Sequence, residues 1–117
     1  MDHRVQKIID LMNSDGLYRK LTLDEMAQFV SLSPSRFRHL FKAEIGCSPT
    51  RYLKLFRLQK AKDLLEATEL SVKQIMGQVG MSDESHFVRD FQQVYNLPPT
   101  KYRVRVLGAK SSAGGSK

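Results

Sequence analysis

The chain has 117 residues, of which 41% are apolar, and this fits one domain or two very small ones that share a core. It has no run of 18 apolar residues, so the sequence predicts no transmembrane helix, and the charged N-terminus lacks the apolar core of a secretory signal. A single cysteine, Cys47, excludes an internal disulfide and a cysteine-based zinc site and fits a reducing cytoplasm. The net charge of +7 favours a polyanionic partner, although charge alone is also compatible with a merely soluble basic protein.

The first half of the chain shows apolar residues at helical spacing. A first amphipathic helix is predicted over about 2–13, capped by Asp2 and ended by the turn 13–16. Thr22 caps a short second helix, and a turn at 31–32 follows it. The pair Ser33-Pro34 begins a third helix, which is predicted to run to about Ile45 and to end at Gly46.

The second half repeats these signals. A long helix is predicted from about 49 to 67 and a fifth helix over about 72–79. Ser82 or Asp83 caps a sixth helix that runs to about Tyr95, where Asn96 takes the terminating role of Gly46. A short last helix runs from Pro99 through Arg103, and 108–117 reads as a flexible tail. The predicted fold is all-α, with seven helices that form two helix-turn-helix subdomains, 1–48 and 68–107, joined by a long central helix, 49–67.

The chain contains an internal repeat of about 50 residues. Val30 matches Val79 at an offset of 49, whereas Phe37 matches Phe87 at an offset of 50, so the second copy has one extra residue near Ser82. Each copy consists of a short helix, a tight turn and a second helix, which is the pattern of a DNA-binding helix-turn-helix.

A helical wheel divides each second helix into two faces. Around Phe37 cluster Leu40, Phe41, Glu44 and Ile45, and the apolar members of this set are predicted to face the core. Opposite lie Ser35, His39 and Lys42, flanked by Arg36 and Arg38. In the second copy Phe87, Phe91, Val94 and Tyr95 point inward, and Ser85, Arg89 and Gln92 lie opposite, flanked by His86 and Val88. No outward member of the two triads is acidic, and all can donate a hydrogen bond, as a major-groove reader requires.

The central helix suggests a geometry for two readers. Its 19 residues span about 28 Å, close to one DNA turn of about 34 Å. The recognition helices, about 34–45 and 83–95, are therefore expected to enter successive major grooves. Basic residues recur every third position on the central helix, where they contact phosphate or simply extend packed stems into solvent: Arg51, Lys54, Arg57 and Lys60.

Together these residues resemble the C-terminal DNA-binding domain of the AraC/XylS family of bacterial transcription regulators, over essentially residues 3–105. The most specific part is the second copy, with Gly80-Met81, Phe87, Phe91 and the run Pro99-Thr100-Lys101-Tyr102-Arg103. The run Arg57-Leu58-x-x-Ala61-x-x-Leu64-Leu65 is similar to the family's linker helix.

The resemblance implies which residues contact DNA. Base-reading residues carried over by position are Ser35, Arg38 and His39 in the first copy and Glu84, Ser85 and Arg89 in the second. The wheel does not favour Glu84, which lies nearer the core side, and Arg89 is the strongest candidate, through bidentate bonds to guanine with a phosphate contact as the alternative. Candidates for phosphate contacts are Arg36, Lys42, His86, Gln92 and Lys101.

The expected partner is double-stranded DNA, with no membrane, metal or cofactor. His3, His39 and His86 lack metal-ligand spacing, and without paired acid/base or glycine-rich motifs no enzyme is predicted. The alternative is a helical protein-interaction module, for instance one that docks RNA polymerase, with DNA contact secondary. Family members usually carry a separate effector-binding domain, so this chain is expected to be either the DNA-binding part of a longer regulator or a stand-alone member.

Overall fold

The structure is a computed structural model that describes residues 1–14 and 16–115, with side chains as far as residue 108. In this part of the chain all regular structure is helical, which confirms the predicted all-α class. The elements are α1 (His3–Met12), a short 3₁₀ helix (Leu17–Arg19), α2 (Leu23–Phe29), α3 (Pro34–Ile45), α4 (Pro49–Ala67), α5 (Val72–Val79), α6 (Glu84–Tyr95) and α7 (Pro99–Gly115). Among the described residues, no helix is both long and apolar enough to cross a membrane.

Local capping chemistry explains where most of these helices begin. Side-chain oxygens accept hydrogen bonds from the exposed N–H groups of the first turn, which have no partner inside the helix. The capping residues are Asp2, Thr22, Ser33, Ser71 and Asp83. Of the two candidates for the start of α6, the structure therefore uses Asp83. In the predicted turn 13–16, Asp15 lies outside the described residues.

The ends of three helices use left-handed backbone conformations. Gly46 ends α3 with φ of 100°, and Gly80 ends α5 with φ of 80°. Asn96 ends α6 with φ of 70°, which confirms that it takes the role of Gly46 in the second copy. Asparagine is among the few residues with a side chain that tolerate this conformation.

The predicted end of the last helix is wrong. The sequence suggested a short helix through Arg103 and a flexible tail from residue 108, but α7 continues to Gly115. No proline interrupts the segment, and a single glycine such as Gly108 costs only about 1 kcal/mol in a helix interior, so nothing local forces the helix to stop at Arg103. The last two residues of the predicted tail, 116 and 117, lie outside the described part of the chain.

The chain divides into two compact units, Met1–Arg57 and a second that begins at Leu58. The boundary falls inside α4, so the predicted linker helix exists but contributes its halves to different units. The buried apolar residues of the first unit are Val5, Ile8, Met12, Tyr18, Met26, Ala27, Val30, Phe37, Phe41 and Leu53. Those of the second are Leu58, Ala61, Leu65, Ile75, Met76, Val79, Phe87 and Phe91.

Two arginines attach distant segments within their own units. In the first, Arg57 donates to the carbonyl oxygens of Tyr18 at 2.9 and 3.1 Å and of Arg19 and Leu21 at 3.3 Å, which fixes the 3₁₀ segment that sequence reasoning missed. In the second, Arg103 donates to the carbonyl of Leu65 at 3.1 Å and that of Thr68 at 3.2 Å. Both carbonyls lie at the C-terminal end of α4, where helix carbonyls lack intrahelical partners.

Candidate nucleic-acid interface

The turns that precede α3 and α6 have the same backbone construction. The N–H of Leu32 donates to the carbonyl of Ala27 at 3.0 Å, and that of Met81 donates to the carbonyl of Met76 at 2.9 Å. Between each of these pairs lies one left-handed residue, Ser31 with φ of 58° or Gly80. In both turns the residue after the left-handed one donates to a carbonyl of the helix's last turn, five residues earlier, which is the Schellman pattern. The extra residue of the second copy therefore lies between Met81 and the cap Asp83.

In the first unit, buried aromatic rings fix how α3 is turned. Phe37 and Phe41 are fully buried, with ring centroids 5.8 Å apart, and Phe41 meets Tyr52 of α4 edge-on at 5.4 Å. As a result, the opposite side of α3 is directed to solvent. Every residue predicted there is exposed: Ser35, Arg36, Arg38, His39 and Lys42.

The second unit repeats this arrangement with one more aromatic ring. Phe87 and Phe91 are fully buried at 5.9 Å, Phe91 meets Tyr102 of α7 edge-on at 5.5 Å, and Tyr95 lies 4.8 Å from Phe91. Apart from Val88, the predicted outward residues are again exposed, and so is Glu84, which the wheel had placed nearer the core: Glu84, Ser85, His86, Arg89 and Gln92. Lys101, on α7, is also exposed.

Two residues of α6 differ from the prediction. Val94 was expected to face the core but is 39% exposed. A wheel gives the direction of a side chain but not how far the core extends along the helix, and α6 ends one residue later. Val88, expected to flank the outward side, is half-buried.

Asp90 is the residue of α6 that sequence reasoning missed. It is 7% exposed, the one buried polar or charged residue among those described. Its Oδ1 lies 3.7 Å from Nε of Arg89, whose side chain is 59% exposed. The signal was available, because Asp90 stands one repeat after Leu40, a position assigned to the inward face.

The negatively charged side chain of Asp83 is held in place at the N-terminus of α6 by local contacts. Oδ1 of Asp83 accepts from the backbone N–H of His86 at 2.9 Å, and the other carboxylate oxygen lies 3.7 Å from Nδ1 of the same histidine. The His86 N–H bond, together with the nearby charges of His86 and Arg89, lowers the pKa of Asp83 below its usual value. Glu84 follows directly, so the first turn of α6 presents acceptors as well as donors.

An open surface depression of about 840 Å³ runs along the outer side of α6, from Glu84 to Asn96, and includes Ser85, Arg89 and Gln92. Hydrogen-bonding groups therefore line a continuous accessible surface, as contact with the edge of a base pair would require. In the part of the chain with described side chains, no cluster of three His, Cys, Asp or Glu residues could hold a metal ion.

The basic row on α4 does not form one surface. Arg57 is drawn inward by its bonds to backbone carbonyls, and burial lowers the pKa of its guanidinium. Arg51 and Lys54 are exposed, whereas Lys60 is half-buried. For Arg57 the structure therefore supports a packing role and not a phosphate contact.

Comparisons with known proteins agree with this geometry. The sequence pattern of a family described as a helix-turn-helix domain matches residues 26–105. The HTH-type transcriptional regulator GbdR of Pseudomonas aeruginosa is 31% identical over 100 residues, which cover 86% of this chain but 27% of that protein. The chain thus spans less than a third of this relative's length.

Solved structures share the fold. A transcriptional regulator from Chromobacterium violaceum, described among AraC-type DNA-binding domain-containing proteins, has a TM-score of 0.79 at 28% identity and covers 88% of this chain and 91% of its own. The DNA-binding domain of AdpA, a global transcriptional factor solved in complex with a target DNA, has a TM-score of 0.86. At 19% identity, over 94% of this chain and 98% of that one, this second likeness concerns the fold.

Proposed function

This chain belongs to the AraC/XylS family of helix-turn-helix transcription regulators, and we propose that it binds double-stranded DNA at a specific sequence to regulate transcription. The observation that carries the proposal is the repeated geometry of α3 and α6. In both helices buried phenylalanines hold one side against the core, and hydrogen-bonding side chains occupy the exposed side. A helix that enters the major groove needs this division.

We assign base reading to residues in the first turns of the two helices. In α3 these are Ser35, Arg38 and His39, and in α6 they are Glu84, Ser85 and Arg89. Arg89 has the donor geometry for O6 and N7 of guanine, and the carboxylate of Glu84 has the acceptor geometry for the amino group of cytosine. The two sets differ in sequence, so each helix would read a different short segment.

We assign phosphate contacts to residues that flank these readers. Phosphate contacts set register and supply salt-dependent affinity without sequence information. The assigned residues, all exposed, are Arg36, Lys42, His86, Gln92 and Lys101. His86 lies in the first turn of α6, so it would contact phosphate close to the start of that helix.

The proposed activity is DNA binding without catalysis. A regulator with this activity would act in the cytoplasm, where the bacterial chromosome lies. An effector-binding domain would lie outside the residues present in this chain.

One observation favours a second function, docking to a protein such as RNA polymerase. Phe29 is 54% exposed and lines a surface depression of the first unit with Leu11, Leu21, Glu25 and Gln28. Exposed aromatic residues are common at protein interfaces.

The proposed function is tested by Arg89→Ala. Loss of a bidentate base contact should weaken binding to the preferred site by about 1–3 kcal/mol and relax the preference at one base pair. Titrations of labelled DNA with each base pair of the site varied in turn would measure both effects. Lys42→Ala is the matched control, because loss of a phosphate contact should weaken binding to all sequences alike and reduce the salt slope by about 1. Uniform weakening by Arg89→Ala would show that Arg89 contacts only phosphate.

A further inference from the structure

The two recognition helices carry opposite charge. Helix α3 contains three basic residues and one acidic residue, whereas α6 contains Arg89 as its single basic residue and two acidic ones, Glu84 and Asp90. The N-cap differs in the same sense, since Ser33 caps α3 and Asp83 caps α6. Phosphate is attracted to the first arrangement more strongly than to the second. The two helices are therefore not equivalent in how they can hold DNA.

Arg89 has one fixed carboxylate beside it and a second at the start of the same helix. Asp90 is almost fully buried, and its Oδ1 lies 3.7 Å from Nε of Arg89. Asp83 is fixed by its cap bond to the N–H of His86 and lies six positions before Arg89 on the same helix, about 9 Å along the axis; the positive charge of Arg89 is the smallest of the effects that lower its pKa. The guanidinium thus has one anchored carboxylate beside its Nε and a second anchored carboxylate farther away, at the start of α6.

This arrangement affects what Arg89 can bind. Because Nε lies on the Asp90 side, the terminal nitrogens of the guanidinium remain for a ligand. An ion pair that restricts a long side chain before binding also reduces the entropy lost on binding. A phosphate placed there would be repelled by Asp90 and, more weakly, by the more distant Asp83. The O6 and N7 atoms of guanine are neutral acceptors and would meet much weaker repulsion.

We propose that Asp83 and Asp90 are positioning residues that make Arg89 selective for a base edge over the phosphate backbone. The inference rests on the proposed function, since it concerns how Arg89, one of the assigned base readers, discriminates a base edge from a phosphate. The corresponding positions of the first unit are Ser33 and Leu40, which carry no charge. Helix α3, with its three basic residues, therefore supplies more of the sequence-independent affinity than α6 does, in addition to the bases that it reads.

The test uses Asp83→Asn and Asp90→Asn, measured separately. Asparagine is as good an N-cap as aspartate, so the first change removes charge and keeps the cap bond. Affinities for the preferred site and for scrambled DNA of equal length are compared. Both variants should bind scrambled DNA more tightly, and the ratio of specific to non-specific affinity should fall by at least about fivefold, the lower end of what one bidentate base contact contributes.

Glu69→Gln is the matched control, because it removes one exposed negative charge from the same unit, outside α6. An equal fall in the ratio for Glu69→Gln, or an unchanged ratio in both aspartate variants, would overturn the proposal. Thermal unfolding of each variant shows whether it still folds. If Asp90→Asn does not fold, the affinity ratio of Asp83→Asn decides whether the proposal stands.

A double-mutant comparison separates this proposal from the proposed function. In an Arg89→Ala background, neither aspartate substitution should change the preference at the base pair that Arg89 reads. A change that persists without Arg89 would mean that the carboxylates act by another route, and the positioning role would be wrong. If wild-type protein showed no base preference at all, the proposed function would fail first.

Discussion

Replacing Phe37 or Phe91 with alanine is expected to lower the free energy of unfolding by about 3–5 kcal/mol. Both side chains are fully buried: the ring of Phe37 packs against Phe41, and that of Phe91 packs against Phe87 and Tyr102. Truncation removes these contacts and leaves a cavity that the surrounding helices cannot fill completely. A loss of this size is a large part of the stability of a small domain, and urea unfolding followed by circular dichroism would measure it.

Phe29→Ala makes the same chemical change at a side chain that is 54% exposed. Because truncation there leaves no interior cavity, the free energy of unfolding should change by no more than about 0.5 kcal/mol. Equal stability of the Phe37→Ala, Phe91→Ala and Phe29→Ala variants would mean that the inward faces of α3 and α6 are misassigned, and with them the outward faces proposed to read DNA.

Arg57→Met should destabilise the protein by about 1.5–3 kcal/mol, the range for hydrogen bonds made by a charged group. The guanidinium donates to three backbone carbonyls, those of Tyr18, Arg19 and Leu21, and methionine keeps much of the apolar stem while removing every donor. Arg57→Lys should recover little of the loss, since an ammonium cannot reproduce the planar fork of donors. Chemical unfolding would give both values.

Arg51→Met provides the comparison on the same helix. Arg51 is exposed, so its loss should change stability by no more than about 0.5 kcal/mol. If Arg57→Met left stability unchanged and instead weakened DNA binding, the packing role assigned to Arg57 would be wrong and a phosphate role would replace it.

Helix positions could be predicted from the sequence because their signals are local. Helix α3 begins with the pair Ser33-Pro34 and ends at Gly46, and α6 begins after Asp83 and ends at Asn96. The hydrogen bonds that fix these ends join residues no more than four apart. The faces of both helices followed from the spacing of Phe37 and Phe41 and of their counterparts one repeat later.

Other features depend on contacts between residues far apart in the chain. The 3₁₀ segment at Tyr18 is fixed by a hydrogen bond from Arg57, which stands 39 positions later, and no local sequence pattern predicts that bond. Val94 has the direction of a core residue but lies where the core no longer covers the helix. The inward position of Asp90 could be predicted from its alignment with Leu40 one repeat earlier, but its ion pair with Arg89 could not, because a wheel gives directions and no distances between side chains.

Selection of bound sites from random double-stranded DNA would show whether one chain reads DNA with two unlike helices, since every sequence competes under one condition. We expect the selected DNA to contain two short boxes of different sequence. Arg89→Ala should weaken the base preference in one box and leave the other unchanged. A single box, or recovery of DNA without any enriched sequence, would contradict this expectation.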